Sequence, residues 1–520
     1  MCSYVLIQDK TNNIEVVSSL KNLLNNPTEI PFLTLENKIE LVSTLISDLD
    51  ENGVQKSWSQ EVKLLALQTL KTLGRDAKGC DLLFSREGFR VLSFHAEIIP
   101  TKNKLEDTPV FQEALTCIAN ALLLKENTRS IFEEYDGVAS ICRNLKDKEL
   151  SIKTQFLILR ILFLMSVNYS PVIPKLIDDL GISNILYKSL RTHVKELSNP
   201  EPVIPSSPSI TRVMVLNEQL KFLFNITMKR DGKDRKDAIN FKFEKLLQPI
   251  IDIILNIQPP SPLPLSPPHS HAIHALLNFP VTPYKSIWFP PKKKSQQYEL
   301  FHRLIEMLKS MVFIAVQDDP DSSSVENNSK YGVDFDEVIT PLVALLRKLA
   351  EDDELAKTIG RNQLLPDDVD RSKPLEKGDS ISANLIRIMT SVMLPHLRDS
   401  VSELLFVLCD QDANLFIHHV GYGNGAGFLM SRNIMIQPSI HNDHSEKPIN
   451  PITGQYVENE SPSLTNMTDE EKEREAEKLF VLFERLKKTG VMDVKNPIEE
   501  SIKSGKFFEM ENDDKDQESD

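Results

Sequence analysis

Apolar residues recur at helical spacing along most of this chain, and the alternation typical of strands is nearly absent. In residues 37–49, 61–73 and 110–124 they lie three and four positions apart, which predicts helices that each bury one face. Several such segments share one pattern, with leucine-like residues on the buried face. The full copies end in Asn and are ALTCIAN (114–120), QLKFLFN (219–225) and AIHALLN (272–278), with ALQTLKT (66–72) and ELLFVLC (403–409) as degenerate copies.

The copies are irregularly spaced but match armadillo or HEAT repeats lengthened by loops. The sequence therefore predicts an all-α, right-handed superhelical solenoid whose inner helices line a concave groove. The terminal amides Asn120, Asn225 and Asn278 lie beside the buried face. Each either clamps the backbone of a bound segment or satisfies a carbonyl inside the scaffold, and the pattern leaves both open. Three amides at one repeat position favour a ladder for a bound polypeptide, because buried amides need partners.

The solenoid is expected to span residues 1–435, with mobile loops where the helical pattern breaks. Proline cannot continue a helix, because it lacks the amide donor and clashes with the preceding turn. A polar, acidic stretch buries too little apolar surface to become ordered. Ser-Pro pairs in the loops are sites for kinases or proline-reading domains, or plain spacer, which is the simpler interpretation. The predicted loops lie near residues 197–212, 257–270 and 317–336.

The C-terminal part begins with a linker and continues into a well-specified amphipathic helix. Thr468 and Glu471 form a capping box at the start of the predicted helix, and Gly490 ends it. Phe480 and Phe483 belong to its apolar stripe, which either docks on the solenoid or grips a partner. The predicted parts are a linker over 436–467, the helix over 468–490 and an acidic, disordered tail over 491–520.

Four of the chain's 17 glycines lie within residues 421–427. Gly421, Gly423 and Ala426 match the dinucleotide pattern G-x-G-x-x-G/A, with Asp443 downstream. That motif requires a preceding strand, whereas the residues before it have helical spacing. The favoured alternative is that these glycines end one helix and let the next chain segment pack closely, because glycine adopts positive φ without steric cost.

Composition narrows the classes of function. The 520 residues carry a net charge of −15 and 7% aromatic residues, which disfavours nucleic acid as a partner. Five cysteines without a CxxC pair indicate reduced core thiols. There is no signal-like or membrane-spanning apolar run, so we expect a cytoplasmic protein, with the cell cortex as the alternative site. No catalytic constellation is visible, and the nearest approach to a metal site is a weak group of histidines: His418, His419, His441 and His444.

Several segments resemble the synembryn family, also called resistance to inhibitors of cholinesterase 8. Shorter segments such as EALTCIAN, LRILFLMS and QLKFLFNIT follow the family's order, and the likeness covers residues 35–490. The most specific segments are SELLFVLCDQDANLFIHHVGYGNGAGFLMSRNIM (402–435), NPITGQYVE (450–458) and MTDEEKEREAEKLFVLFERL (467–486).

The resemblance implies a monomeric armadillo/HEAT solenoid that acts on heterotrimeric G protein α subunits as a nucleotide exchange factor and folding chaperone. It implies that the groove takes up the C-terminal helix of the α subunit, that the helix over 468–490 braces the nucleotide-free state, and that membrane association comes only through the partner. No cofactor is implied. The family's basic groove positions fall on Lys71 and Arg75, and its polar ones on Asn120, Arg160 and Asn225.

The chain departs from the family in two places. Lys71 stands where relatives have Arg, which removes a bidentate fork for a carboxylate. Lys71 and Arg75 are four apart, which predicts a shared helix face and a carboxylate site, although an ordinary solvated pair has the same spacing. The family's acidic, phosphorylatable stretch is reduced to QPSIHNDHSEKPI (437–449), leaving Ser445 and the helix-capping Thr468 as candidate phosphorylation sites.

Three classes of function remain open on the sequence. The first is the exchange factor and chaperone. The second is a generic armadillo adaptor that binds a linear peptide, and the third is a nucleotide-dependent enzyme that uses the glycine turn. The first class needs no bond-making chemistry, so we expect a non-covalent binding protein rather than an enzyme.

Overall fold

The computed structural model describes residues 3–25, 33–99, 105–147, 149–168, 171–199, 210–228, 236–291, 296–316, 320–434, 449–450 and 452–456, with the single positions Thr468 and Arg474. Within these ranges the regular structure is helical, and the one β-type pairing is an isolated bridge between Ile449 and Tyr456. The all-α prediction is confirmed. Among the described residues, no helix is both long enough and apolar enough to cross a lipid bilayer.

The helices, numbered in chain order, are α1 (Asn13–Asn25), α2 (Leu35–Leu49), α3 (Gln60–Leu73), α4 (Arg86–His95), α5 (Pro109–Leu124), α6 (Thr128–Glu134), α7 (Gly137–Asn144), α8 (Ile152–Ser166), α9 (Val172–Pro174), α10 (Ile182–Ser198), α11 (Arg212–Thr227), α12 (Lys236–Asn256), α13 (His269–Leu277), α14 (Lys285–Trp288), α15 (Glu299–Ala315), α16 (Pro320–Tyr331), α17 (Phe335–Asp352), α18 (Glu354–Leu364), α19 (Ile381–Met389), α20 (Pro395–Leu408), α21 (Ala413–Val420) and α22 (Tyr422–Ser431).

Side-chain caps explain where many of these helices begin. A Ser, Thr or Asp immediately before the first turn accepts a hydrogen bond from a backbone N–H that would otherwise lack a partner. Each such cap stabilises its helix by about 1 kcal/mol. The capping residues are Thr34, Ser59, Ser85, Thr108, Ser151, Thr211, Asp334, Ser380 and Asp412.

The chain divides into two compact units. The first comprises Met1–Gln363 with Ser391–Leu408, and the second comprises Leu364–Thr390 with Cys409–Asp520. The sequence predicted a single solenoid over 1–435. In the structure the chain leaves the first unit after α18 and returns to it for α20, so α19, α21 and α22 belong to the second unit.

In the first unit one series of helices packs sequentially, each against the next. This series, the long stack, is α1, α3, α5, α8, α11, α13, α17 and α20. Other helices pack against it and against each other, for example α10 against α11 and α12, and α15 against α17. Sequential packing of repeated helices is the pattern of an α solenoid, which confirms that part of the fold prediction. The right-handed sense stays a prediction.

The core of the long stack comes from the repeated apolar pattern. In α11, Leu220, Phe222 and Leu223 are fully buried, and α5 buries Leu115 and Ile118 in the same way. Burying one such side chain stabilises the fold by about 1.5–3 kcal/mol. The pattern seen in the sequence therefore marks the face that holds successive helices together.

The predicted loops have different outcomes. The prediction of a loop over 317–336 is wrong for residues 320–331, because these residues form α16, which packs on α15. Residues 257–268 lie between α12 and α13 as expected, but buried Leu265 attaches this stretch to the core. In the loop near 197–212, residues 200–209 lie outside the described residues. The mobility of all three stays a prediction.

Most of the predicted C-terminal parts also lie outside the described residues. These are the linker over 436–467 except residues 449–450 and 452–456, the helix over 468–490 except its isolated positions, and the tail over 491–520.

Candidate functional site

Lys71 lies near the end of α3, where it pairs with a buried glutamate of the next helix in the long stack. Its Nζ is 2.5 Å from Oε1 of Glu113 on α5, and the Glu113 side chain is only 5% exposed. Helix α3 ends at Leu73, so Arg75 lies in the following turn and is exposed. The prediction that Lys71 and Arg75 share a helix face is therefore wrong, because Gly74 ends the helix between them.

Arg160 on α8 makes the equivalent contact two steps further along the long stack. Its Nη1 donates to Oε1 of Glu218 on α11 at 3.0 Å, and Lys221 Nζ donates to the same oxygen at 2.5 Å. The Glu218 side chain is 5% exposed. A buried carboxylate needs such charge-assisted partners, because an unpaired charge in the interior is strongly unfavourable.

A third pair completes the series. Arg347 on α17 forms an ion pair with Glu403 on α20, the last helix of the long stack. None of these three glutamates was predicted from the sequence, although a signal was present for Glu113 and Glu218. Glu113 and Glu218 each precede the terminal Asn of their repeat copy by seven residues, so they lie on the same helix face.

The asparagines show which of the two open interpretations applies. Asn225 Nδ2 donates to Ser166 Oγ at 3.0 Å. Asn278 Nδ2 donates to the Phe224 carbonyl at 3.0 Å and to Thr227 Oγ1 at 3.1 Å. Both amides therefore donate to the end of the preceding helix of the long stack.

The Nδ2 groups of Asn225 and Asn278 therefore donate within the scaffold, which is one of the two interpretations left open by the sequence. A role of these two side chains in binding stays a prediction. Asn278 also follows the end of α13 rather than lying inside it. Asn120 is half-buried on α5, and no hydrogen bond joins its side chain to other described residues.

Aromatic rings lie on the same helices as the Arg160 pair, and one of them lies beside Lys221. Lys221 Nζ lies 4.8 Å from the centroid of the Phe163 ring. The Phe224 and His274 rings lie 6.1 Å apart in a tilted arrangement. Burial lowers the pKa of His274, so this ring is neutral at pH 7. Half-buried residues of α8, α11 and α13 thus form one surface, the aromatic-basic surface, made of Arg160, Phe163, Lys221, Phe224 and His274 around Glu218.

The glycine turn lies in the second unit, between α21 and α22. Gly421 has φ of +78° and separates Val420, the last residue of α21, from Tyr422, the first of α22. A helix therefore stands where a dinucleotide motif requires a strand. The Gly423 N–H is also already used, because it donates to the Ile452 carbonyl at 2.9 Å. The favoured structural interpretation of the glycines agrees with this geometry.

Other predicted chemical groups are partly accounted for. Cys80, Cys117, Cys142 and Cys409 are buried thiols, and burial raises the pKa of Cys142 to about 12. The described ranges contain no group of three His, Cys, Asp or Glu side chains placed to hold a metal. The remaining predicted site residues Phe480, Phe483 and Ser445, like His441 and His444, lie outside those ranges.

Comparison with known proteins identifies the family. The family model described as guanine nucleotide exchange factor synembryn matches residues 66–506. Chaperone Ric-8A of Mus musculus is 28% identical over 490 residues, covering 88% of this chain and 86% of that protein. Chaperone Ric-8A of Macaca fascicularis is 26% identical, with the same coverage of both chains. Chaperone Ric-8A of Gallus gallus is 24% identical over 84% of each chain. The chain therefore belongs to the family of the guanine nucleotide exchange factor synembryn.

Proposed function

We propose that this protein is a nucleotide exchange factor and folding chaperone for G protein α subunits, and that it binds the C-terminal helix of the α subunit along the long stack. The observation that carries the proposal is the aromatic-basic surface in a chain of this family. Half-buried rings beside paired cations suit an amphipathic helix that carries acidic groups.

The chemistry of this surface fits such a helix in two ways. Phe163 and Phe224 offer apolar contact to residues three and four apart on a bound helix. Arg160 and Lys221 both point at one glutamate oxygen, so an incoming carboxylate of the partner meets two cations held in place. Asn120 and the exposed Arg75 extend the polar lining toward the N-terminal repeats.

Exchange follows from differential binding, and no covalent bond changes. Holding the C-terminal helix of the α subunit separates it from the loops that contact the guanine ring, which favours loss of GDP. The factor must bind the nucleotide-free state more tightly than the GDP state, and GTP binding must by the same coupling weaken its hold. The same preference stabilises a newly made α subunit before its first nucleotide arrives.

Residues 468–490, which lie outside the described ranges, are assigned to bracing the nucleotide-free GTPase domain through Phe480 and Phe483. In this proposal the protein acts as a monomer in the cytoplasm or at the cell cortex, and its partner supplies any contact with a membrane. Ser445 and Thr468 remain candidate phosphorylation sites.

The test is GDP release from a panel of purified G protein α subunits with and without the protein, together with α-subunit levels in cells that lack it. We expect faster release from at least one α subunit and a lowered level of that subunit. Unchanged release and unchanged levels across the panel would overturn the proposal. Binding of a C-terminal peptide without any change in release would instead support the adaptor that binds a linear segment.

A further inference from the structure

Residues 449–450 and 452–456 fold into a tight loop, here called the NPITG loop, within the second unit. Gly454 N donates to the Asn450 carbonyl, and Asn450 N donates to the Gln455 carbonyl, both at 2.8 Å. Ile449 and Tyr456 pair as an antiparallel bridge across its base. The sequence predicted a linker over this stretch, but these hydrogen bonds pair backbone groups of the loop with one another.

Three further hydrogen bonds attach this loop to the rest of the second unit. Gly423 N donates to the Ile452 carbonyl at 2.9 Å, and Tyr456 N donates to the Arg371 carbonyl at 3.0 Å. Arg371 Nη1 donates to the Gly454 carbonyl at 2.8 Å. Arg371 is only 3% exposed, although a charged side chain is rarely buried without good reason.

Two glycines permit the close approach. A Cβ on Gly421 would lie 3.1 Å from the Thr453 carbonyl oxygen, and a Cβ on Gly454 would lie 2.3 Å from Leu375 Cδ1. Both have positive φ, at +78° and +70°, which L side chains rarely adopt. In contrast, Gly427 in the same glycine-rich stretch has nothing within 4 Å of the equivalent position.

We propose that Arg371, Gly421, Gly423 and Gly454 form a clasp that holds the NPITG loop and so sets the point from which the chain continues toward residues 468–490. Arg371 is then a positioning residue for the grip on the α subunit. This step rests on the proposed function, since it concerns the segment assigned to bracing the partner.

Chain length gives the size of the effect. With the clasp closed, eleven residues separate Tyr456 from Thr468, whereas thirty-three separate Ile434 from Thr468 if the loop is released. The entropy of bringing two tethered sites together grows with the logarithm of the connecting length. A threefold longer connection lowers the effective concentration about fivefold, so we expect release to weaken binding of the α subunit by about that factor.

The first measurement is amide hydrogen exchange in the full chain. Gly454→Ala and Arg371→Ala break the clasp at different contacts, and we expect faster exchange at the amides of Gly423, Gly454 and Tyr456 in both variants. Arg371→Lys keeps one donor and should restore part of the protection. Gly427→Ala is the matched control and should leave these amides unchanged. Unchanged exchange in both clasp variants would overturn the clasp.

The second measurement separates positioning from a merely structural role. Affinity is measured for a whole nucleotide-free G protein α subunit and for a synthetic peptide of its C-terminal helix. We expect both clasp variants to bind the whole subunit about fivefold more weakly, because the connection to residues 468–490 becomes longer, while peptide binding stays unchanged. Equal weakening of both ligands, or of neither, would overturn the positioning role. If the unmodified chain binds no α subunit, the proposed function fails and the positioning role with it, while amide exchange still decides whether the clasp exists.

Discussion

Buried glutamates link the cations of one helix in the long stack to the next helix. Glu113 and Glu218 are both about 5% exposed, while their partners Lys71 and Arg160 are 26% and 33% exposed. The partly exposed cation is thus held at the surface by a carboxylate beneath it. For a binding surface this means that an acidic ligand shares each cation with the scaffold.

This arrangement predicts the effect of Glu218→Gln. The substitution keeps the shape but removes the charge that neutralises Arg160 and Lys221, so the surface gains net positive charge. We expect the affinity for a G protein α C-terminal peptide to rise roughly threefold to fivefold, equivalent to about 1 kcal/mol, with weaker binding as salt is added.

Titration calorimetry at two ionic strengths measures this change. The control is Glu61→Gln, since Glu61 pairs with Lys21 in an exposed contact and should have no effect. Weaker binding by Glu218→Gln would mean that the carboxylate serves the ligand by holding the cations in place rather than by competing for them.

Arg75 provides a second prediction at this scale. It is exposed in the turn after α3, so its charge is free to meet a partner without breaking the helix. We expect Arg75→Glu to lower the affinity for the same peptide by about fivefold, the size of one exposed charge contact reversed. The neighbouring exposed Lys78→Glu is the control. Equal effects of both variants would indicate general electrostatic attraction instead of a contact at Arg75.

At the scale of elements, apolar spacing located several helices, such as α2, α3 and α5, because it is a local signal. It failed at α16, whose sequence PDSSSVENNSKY is polar enough to predict a loop. The helix is held by contacts from distant parts of the chain. Asp321 in its first turn accepts hydrogen bonds from Ser391 Oγ at 2.5 Å and from the Val392 and Met393 amides at 3.1 Å.

Asp321→Ala should therefore destabilise the first unit. The substitution leaves the amides before α20 without their acceptor, which costs about 1–3 kcal/mol of unfolding free energy. Urea unfolding followed by circular dichroism measures this loss, and Glu326→Ala, an exposed position on the same helix, is the control. A loss below that of Glu326→Ala would show that α16 is held by its apolar contacts alone.

At the scale of the whole molecule, buried histidines make stability depend on pH. Burial lowers the pKa of four histidines from 6.5 to about 4: His95, His193, His269 and His271. Between pH 6.5 and 4 the unfolded chain binds protons at these rings that the folded chain does not bind. The free energy of unfolding therefore falls as pH falls from 6.5 toward 4. Four such groups produce a slope of about 5 kcal/mol per pH unit in the middle of that window.

Urea unfolding at pH 7, 6 and 5 tests this slope. His193→Gln replaces one of the four titrating rings, so the slope should decrease by about a quarter in that variant. His302→Gln at an exposed position is the control and should leave the slope unchanged. A pH-independent free energy of unfolding between 6.5 and 5 would contradict the prediction.

The amino-acid sequence alone indicated the helical class, the repeat pattern, the buried thiols and a glycine-dependent turn at Gly421. These depend on local spacing and on backbone freedom, which neighbouring residues reveal. The family also followed from short segments, because GYGNGAG and NPITG are specific.

Only the tertiary structure decided which side chains meet. Arg75 lies outside the predicted helix, because α3 ends at Leu73 and Gly74 is its C-cap. Asn225 and Asn278 donate to the scaffold, since the end of the preceding helix of the long stack supplies their acceptors. The supposed linker at Gly454 became a docked loop because Arg371, distant in sequence, reaches its carbonyl. Periodicity specifies which face of a helix is buried, whereas the partner across that face depends on how the whole chain packs.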